Sequence, residues 1–130
     1  DELAEVFDDF AADDDAWVAI ITGEGDRAFS AGNDLKYTAQ GGGEMPSSEM
    51  GFGGLTGRYD LWKPVIAAVE GHAVAGGLEL AIWCDLRVAA RDAIFGVYCR
   101  RWGVPLVDGG TVRLPRLVGR GTRSGGPGSR

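Results

Sequence analysis

Residues 61–96 read LWKPVIAAVEGHAVAGGLELAIWCDLRVAARDAIFG, and this block restricts the fold more than any other stretch of the chain. Val65 to Val69 is an apolar run that predicts a buried strand. A glycine-bearing turn, His72 to Gly77, comes next. A short helical run, Leu78 to Cys84, and a second strand, Leu86 to Ala90, follow it. A helix that starts straight out of a glycine turn presents bare backbone N–H groups, and these attract negative charge. Glu79 lies in the first turn of that helix, where a carboxylate one turn from the N-terminus can move protons. Together these features point to chemistry on a carbonyl compound whose oxygen becomes negative.

The rest of the chain supports a strand–loop–helix order. Leu3, Val6, Phe7 and Phe10 recur at helical spacing, which predicts an amphipathic helix over 2–11, ended by Asp13-Asp14-Asp15. Trp17 to Thr22 reads as a buried strand, Gly23 to Arg27 as a polar turn, and Ala28 to Lys36 as a small-residue loop leading into a helical turn. Gln40 to Gly57 holds seven glycines and predicts a mobile loop. Residues 97–118 read as loops with short apolar pieces. No large apolar side chain occurs in 119–130, so a disordered Gly/Arg/Ser tail is expected beyond a core at 1–118. No internal repeat is visible. This order predicts an α/β fold with parallel strands. The glycine-rich turns at 31–33 and 75–77 both follow strand-like runs, where ligands gather in such sheets.

Composition narrows the function classes. With 130 residues and 45% hydrophobic content, one globular domain is expected. No apolar run reaches the roughly 18 residues needed to span a bilayer, and no basic-then-apolar leader opens the chain, so no membrane partner is expected. The first residue is Asp1 rather than Met, which leaves a removed leader open. Two cysteines, Cys84 and Cys99, make no disulfide framework, and a reducing cytoplasm is the expected location. The net charge of −6 is uneven: residues 1–60 carry 14 acids and 3 bases, residues 61–130 carry 5 acids and 10 bases. The first half reads as an acidic solvated surface. The second leaves open a contact with phosphates or an acidic partner. No aromatic-interleaved basic stripe occurs, so nucleic acid is not expected. One histidine and two distant cysteines do not supply a structural zinc site, so no metal is expected.

Two segments hold the candidate chemistry. At Gly76 a bare backbone can approach a ligand closely. Glu79, three residues on, shares its helix face. The same glutamate is equally what helix capping favours. Ala75, Leu78 and Ala81 would raise its pKa by desolvation, while the helix dipole would lower it, and the sequence leaves that balance open. In Ser30 to Lys36, small residues leave the Asn33 N–H available as a second donor, although Asn and Asp are also ordinary turn formers. Gly23 to Ala28 imitates a dinucleotide fingerprint, but no amphipathic helix follows it, and that reading is rejected.

The segments AFSAGNDLK (28–36), KPVIAAVEGHAVAGGLELAIWCDLRVAARDAIFG (63–96) and DGGTVRLPRLVG (108–119) together resemble the crotonase family, the enoyl-CoA hydratase/isomerase superfamily. The likeness covers roughly residues 2–119, in the family's order and spacing. It implies a spiral of ββα turns that binds acyl-CoA thioesters, here incomplete at both ends. It further implies an oxyanion hole made by the N–H groups of Asn33 and Gly76, with Asn33, Asp34, Leu35 and Lys36 beside the bound CoA. No separate cofactor is implied, since coenzyme A arrives as part of the substrate. A homotrimer or dimer of trimers is implied for the full-length protein.

One departure matters. Hydratases of this family use two glutamates; Glu79 matches the first, but the second position, three residues beyond Phe95-Gly96, is Cys99. A thiol is not a carboxylate, although Arg100 and Arg101 would favour its ionised form. Asp108, before Gly109-Gly110, stands where several relatives carry a proton-transferring acid. The expected activity is thus enoyl-CoA hydratase/isomerase-like, with Glu79 and Asp108 as catalytic pair. The alternative is a non-catalytic acyl-CoA binder that kept the oxyanion hole. A Cys99/His72 nucleophilic dyad is a minor alternative. GRGTRSGGPGSR replaces the family's C-terminal helices, so the chain is expected to fold poorly alone.

Overall fold

The computed structural model describes residues 2–40 and 50–120. After an N-terminal helix α1 (Glu2–Ala12) come three consecutive ββα units: β1 (Ala19–Thr22), β2 (Ala28–Ser30) and α2 (Leu35–Ala39); β3 (Val65–Val69), β4 (His72–Val74) and α3 (Gly76–Trp83); β5 (Leu86–Ala89), β6 (Ile94–Gly96) and α4 (Gly110–Val118). The first strands of the units pair in parallel in the order β1-β3-β5, and the second strands in the order β2-β4-β6. Each unit therefore adds one strand to each sheet and supplies the crossover that parallel neighbours require. This is the expected ββα spiral. The units repeat in topology only, with connections of different length, which is why no sequence repeat is visible.

The core lies between the sheets and their helices. Val65, Ala67 and Val69 on the inward face of β3 are buried with Leu55, Leu80, Ala81 and Phe7. Phe7 meets Phe10 and Trp83 edge to face, at centroid distances of 5.9 and 6.1 Å, which docks α1. Lys63 Nζ donates to the carbonyls of Phe10 and Asp13 at the C-terminal end of α1, where a cation is favoured. Between β3 and β4 the chain changes sheet in two residues. Gly71 (φ +63°) permits this, because a Cβ there would fall 2.2 Å from the Arg27 carbonyl oxygen.

Several expectations are corrected. Ala28–Ser30 is a strand rather than loop, and His72–Val74 is a strand rather than turn, because each is made by pairing with the other across the sheet. Trp17 to Thr22 shrinks to Ala19–Thr22 and is half-buried rather than buried. β1 is an edge strand with Ile20 facing out, and Trp17 is exposed. Residues 97–118, expected as loops, contain α4, whose internal Pro115 disguised it. In the expected mobile loop 40–57, residues 41–49 lie outside the described residues, but 51–57 are packed. Leu55 and Thr56 are buried, and a turn of 3₁₀-helix at Phe52–Gly54 rests on α1. The glycines serve close approach there, since a Cβ at Gly54 would sit 2.6 Å from Ala4 Cβ. Of the expected tail, residues 121–130 also lie outside the described residues.

Candidate active site

The C-terminal ends of β2 and β4 bring the two glycine turns against each other. A Cβ on Gly77 would fall 2.0 Å from the Ser30 carbonyl oxygen, and one on Gly32 would fall 2.9 Å from the Gly76 nitrogen. Only glycine lets the start of α3 press this closely on the end of β2. Ala75, immediately before α3, has φ +52°, the one left-handed non-glycine residue among those described. Its own N–H is held by the Gly96 carbonyl at 3.1 Å. The strained residue aims the following peptide, and strain of this kind costs on the order of 1–3 kcal/mol.

Asn33, Leu35, Ala75, Gly76 and Glu79 line one cavity of about 190 Å³. Among the described residues, no hydrogen-bond acceptor takes up the N–H of Asn33 or of Gly76. The far wall comes from the third unit: Tyr98, Cys99, Trp102, Leu106, Val107 and Asp108. Phe52 closes one side, and a Cβ on Gly76 would lie 3.3 Å from its ring.

Glu79 is 2% exposed. Its Oε1 accepts from the backbone N–H groups of Asp108 and Gly110, both at 2.8 Å. Burial pushes its carboxyl above the usual value of 4.5. The Gly110 N–H opposes this, the Asp108 charge adds to it, and the Asp108 N–H and the Arg113 charge again oppose it. Desolvation wins over hydrogen bonding, so the group is moved toward the range useful for proton transfer. Asp108 is held by its Oδ1, which accepts from the Phe52 N–H (2.7 Å) and the Thr56 hydroxyl (2.8 Å). Of the expected pair, Asp108 thus meets Glu79 through its main chain, while its carboxylate is held by Phe52 and Thr56.

Other sequence candidates separate. Leu35 lines the cavity, whereas Asp34 and Lys36 are exposed and outside its lining. The Asp34 carboxylate accepts from the Lys36 N–H at 2.9 Å and starts α2. Cys99 is buried in the cavity wall. Arg101 lies over the Tyr98 ring at 5.0 Å. His72 is exposed at the far end of β4, with Nδ1 3.3 Å from the Arg27 carbonyl, so no Cys99/His72 dyad forms. Cys84 is a packed thiol that burial pushes up to about 11. Sequence reasoning missed Phe52, the aromatic wall at Tyr98 and Trp102, and the hydrogen bonds from Arg113 to the Asp108 and Thr56 carbonyls. Only the Arg113 position had a signal, inside DGGTVRLPRLVG.

Among the described residues, no helix is long and apolar enough to cross a membrane. Residues 1–123 match the enoyl-CoA hydratase/isomerase family. A carnitinyl-CoA dehydratase from Citrobacter koseri is 48% identical over 120 residues, covering 90% of this chain and 45% of the relative. Enoyl-CoA hydratase EchA1 from Mycobacterium marinum has a solved structure that superposes with a TM-score of 0.79 at 46% identity, covering 88% of this chain and 44% of that one. A carnitinyl-CoA hydratase from Mycobacterium avium superposes with a TM-score of 0.85 at 34% identity, covering 93% and 47%. The chain spans about 45% of the length of the curated relatives it matches.

Proposed function

This chain belongs to the enoyl-CoA hydratase/isomerase family, and from that premise we propose that the protein carrying it adds water to, or removes water from, an acyl-CoA thioester. The observation that supports this reading is the meeting, in one cavity, of two unclaimed N–H groups and a buried carboxyl: Asn33, Gly76 and Glu79. The thioester oxygen accepts from Asn33 and Gly76. Their fixed donors favour the enolate over the neutral thioester, and a single donor of this kind is worth about 3 kcal/mol. In the dehydration direction, the α-proton passes to the Glu79 carboxylate and its electron pair moves onto the thioester oxygen. As the enolate collapses, the β-hydroxyl leaves with that same proton as water, and Glu79 is again a carboxylate. One acid suffices for this cycle, which is how Cys99 is accommodated. Asp108 assists: its N–H holds Glu79, and its charge favours the protonated form.

No cofactor enters beyond the CoA of the substrate. On this reading the exposed turn at Asp34 and Lys36 meets the polar part of the CoA. The expected homotrimer, or dimer of trimers, and the cytoplasmic location belong to the same proposal. A second reading, a non-catalytic acyl-CoA binder, draws on Cys99 standing in the cavity wall where the second glutamate is expected. An assay of the intact protein with a short enoyl-CoA, following loss of conjugated thioester absorbance, separates them. Turnover abolished by Glu79→Gln supports the enzyme. Tight CoA-ester binding without hydration or α-proton exchange supports the binder.

A further inference from the structure

We propose, on the reading of Glu79 as the proton-transferring group, that Arg113 is a positioning residue: its guanidinium clamps together the two segments that hold Glu79 and cover Gly76. Arg113 stands in the first turn of α4. Its Nη1 donates to the Asp108 carbonyl at 2.8 Å and its Nη2 to the Thr56 carbonyl at 2.9 Å. A planar guanidinium fork spans two acceptors in fixed geometry, which an ammonium does not.

The first arm fixes the turn that grips Glu79. The Asp108 and Gly110 N–H groups, on either side of Gly109, both land on Glu79 Oε1. The two glycines make room on opposite sides. A Cβ on Gly109 (φ +86°) would fall 2.3 Å from Arg113 Nη1, and one on Gly110 would fall 2.8 Å from Glu79 Oε1. Arg113 thus folds back over the turn whose other side receives the acid. The second arm fixes residues 52–56. Thr56 also donates its hydroxyl to Asp108 Oδ1 at 2.8 Å, and the Phe52 ring rests against Gly76. A single side chain therefore sets the direction of the Glu79 carboxyl and the wall beside the Gly76 donor.

The charged groups acting on Glu79 are Asp108, which raises its carboxyl, and Arg113, which lowers it; the Cys99 thiol faces the same cavity. Arg113 therefore limits how far burial raises Glu79, as well as orienting it.

The test compares Arg113→Lys and Arg113→Met in the intact protein. The Glu79 carboxyl is titrated by infrared or ¹³C NMR, assigned by its loss in Glu79→Gln, and kcat and KM for enoyl-CoA hydration are measured at a temperature where both variants are folded. Arg113→Met should move the Glu79 titration to higher pH and lower kcat by about tenfold to a hundredfold, with KM changed less than about threefold. Arg113→Lys keeps the charge and loses the fork. It should leave the titration nearly in place and lower kcat to an intermediate level. An unchanged titration and unchanged kcat in both variants, whatever the loss in Tm, overturns the proposal and leaves Arg113 a structural tie. Absence of turnover in the unmodified protein counts against the catalytic reading alone, since the carboxyl titration still decides whether Arg113 governs Glu79.

Discussion

The backbone N–H of Asp108 donates to Oε1 of Glu79 at 2.8 Å, across 29 positions of sequence. The third ββα unit thereby holds the acid that the second unit supplies. Glu79 takes a second N–H from Gly110 on the same oxygen, so the acid is oriented by main chain rather than by another side chain.

Glu79→Gln should preserve this grip, because the amide oxygen accepts the same two N–H groups. Turnover on enoyl-CoA should fall by about a hundredfold to ten-thousandfold, the range of general acid–base catalysis. Binding of a CoA ester, measured by calorimetry, should change little. A variant that binds and still turns over at the original rate would remove Glu79 from the chemistry.

The same substitution tests a pH linkage. The Glu79 carboxyl lies above its ordinary value in the folded chain, chiefly through burial, so the folded state holds that proton more tightly than the unfolded state. Its contribution to stability is complete below about 4.5 and is lost as pH rises through the raised folded value. Urea unfolding should show the Glu79→Gln protein gaining on the unmodified protein between pH 4.5 and neutrality. Parallel curves across that window would contradict the shift.

Gly77→Ala should be severely destabilising. Its Cβ would lie 2.0 Å from the Ser30 carbonyl oxygen, a backbone atom that cannot swing aside. Overpacking of this kind costs about 1–3 kcal/mol and more where the backbone must move. A chemical denaturation midpoint within error of the original would show that α3 and β2 do not press together.

Ala75→Gly should act in the opposite direction. Relief of the strained φ of +52° is worth about 1–3 kcal/mol, against about 0.5–1 kcal/mol for glycine's extra unfolded-state freedom. A rise in Tm is expected. A fall would mean that Ala75 packing outweighs its backbone strain.

Thr56→Val keeps the shape of a buried side chain and removes the hydroxyl that reaches Asp108 Oδ1 at 2.8 Å. A loss of about 1–3 kcal/mol is expected from unfolding curves, the cost of a buried hydrogen bond to a charged group.

The strand Val65–Val69, the helices α1 and α3, and the pairing of two glycine turns with Glu79 were legible in the chain itself. Their periodicity is local, and glycine at a tight approach is a local demand. The short strands Ala28–Ser30, His72–Val74 and Ile94–Gly96 were not, because three residues hold too little pattern and become strands only when a partner takes their hydrogen bonds. The helix Gly110–Val118 was hidden by Pro115, whose lost hydrogen bond the surrounding packing tolerates. Sequence named Glu79 and left the direction of its shift open; in the folded chain burial outweighs the Gly110 and Asp108 N–H groups and the Arg113 charge, partners that only tertiary packing brings to it from residues 108–113. The tie from Arg113 to Thr56, across 57 positions, has the same origin. Local residue types named the candidate groups, and long-range packing decided where each one lies and which way the Glu79 carboxyl is shifted.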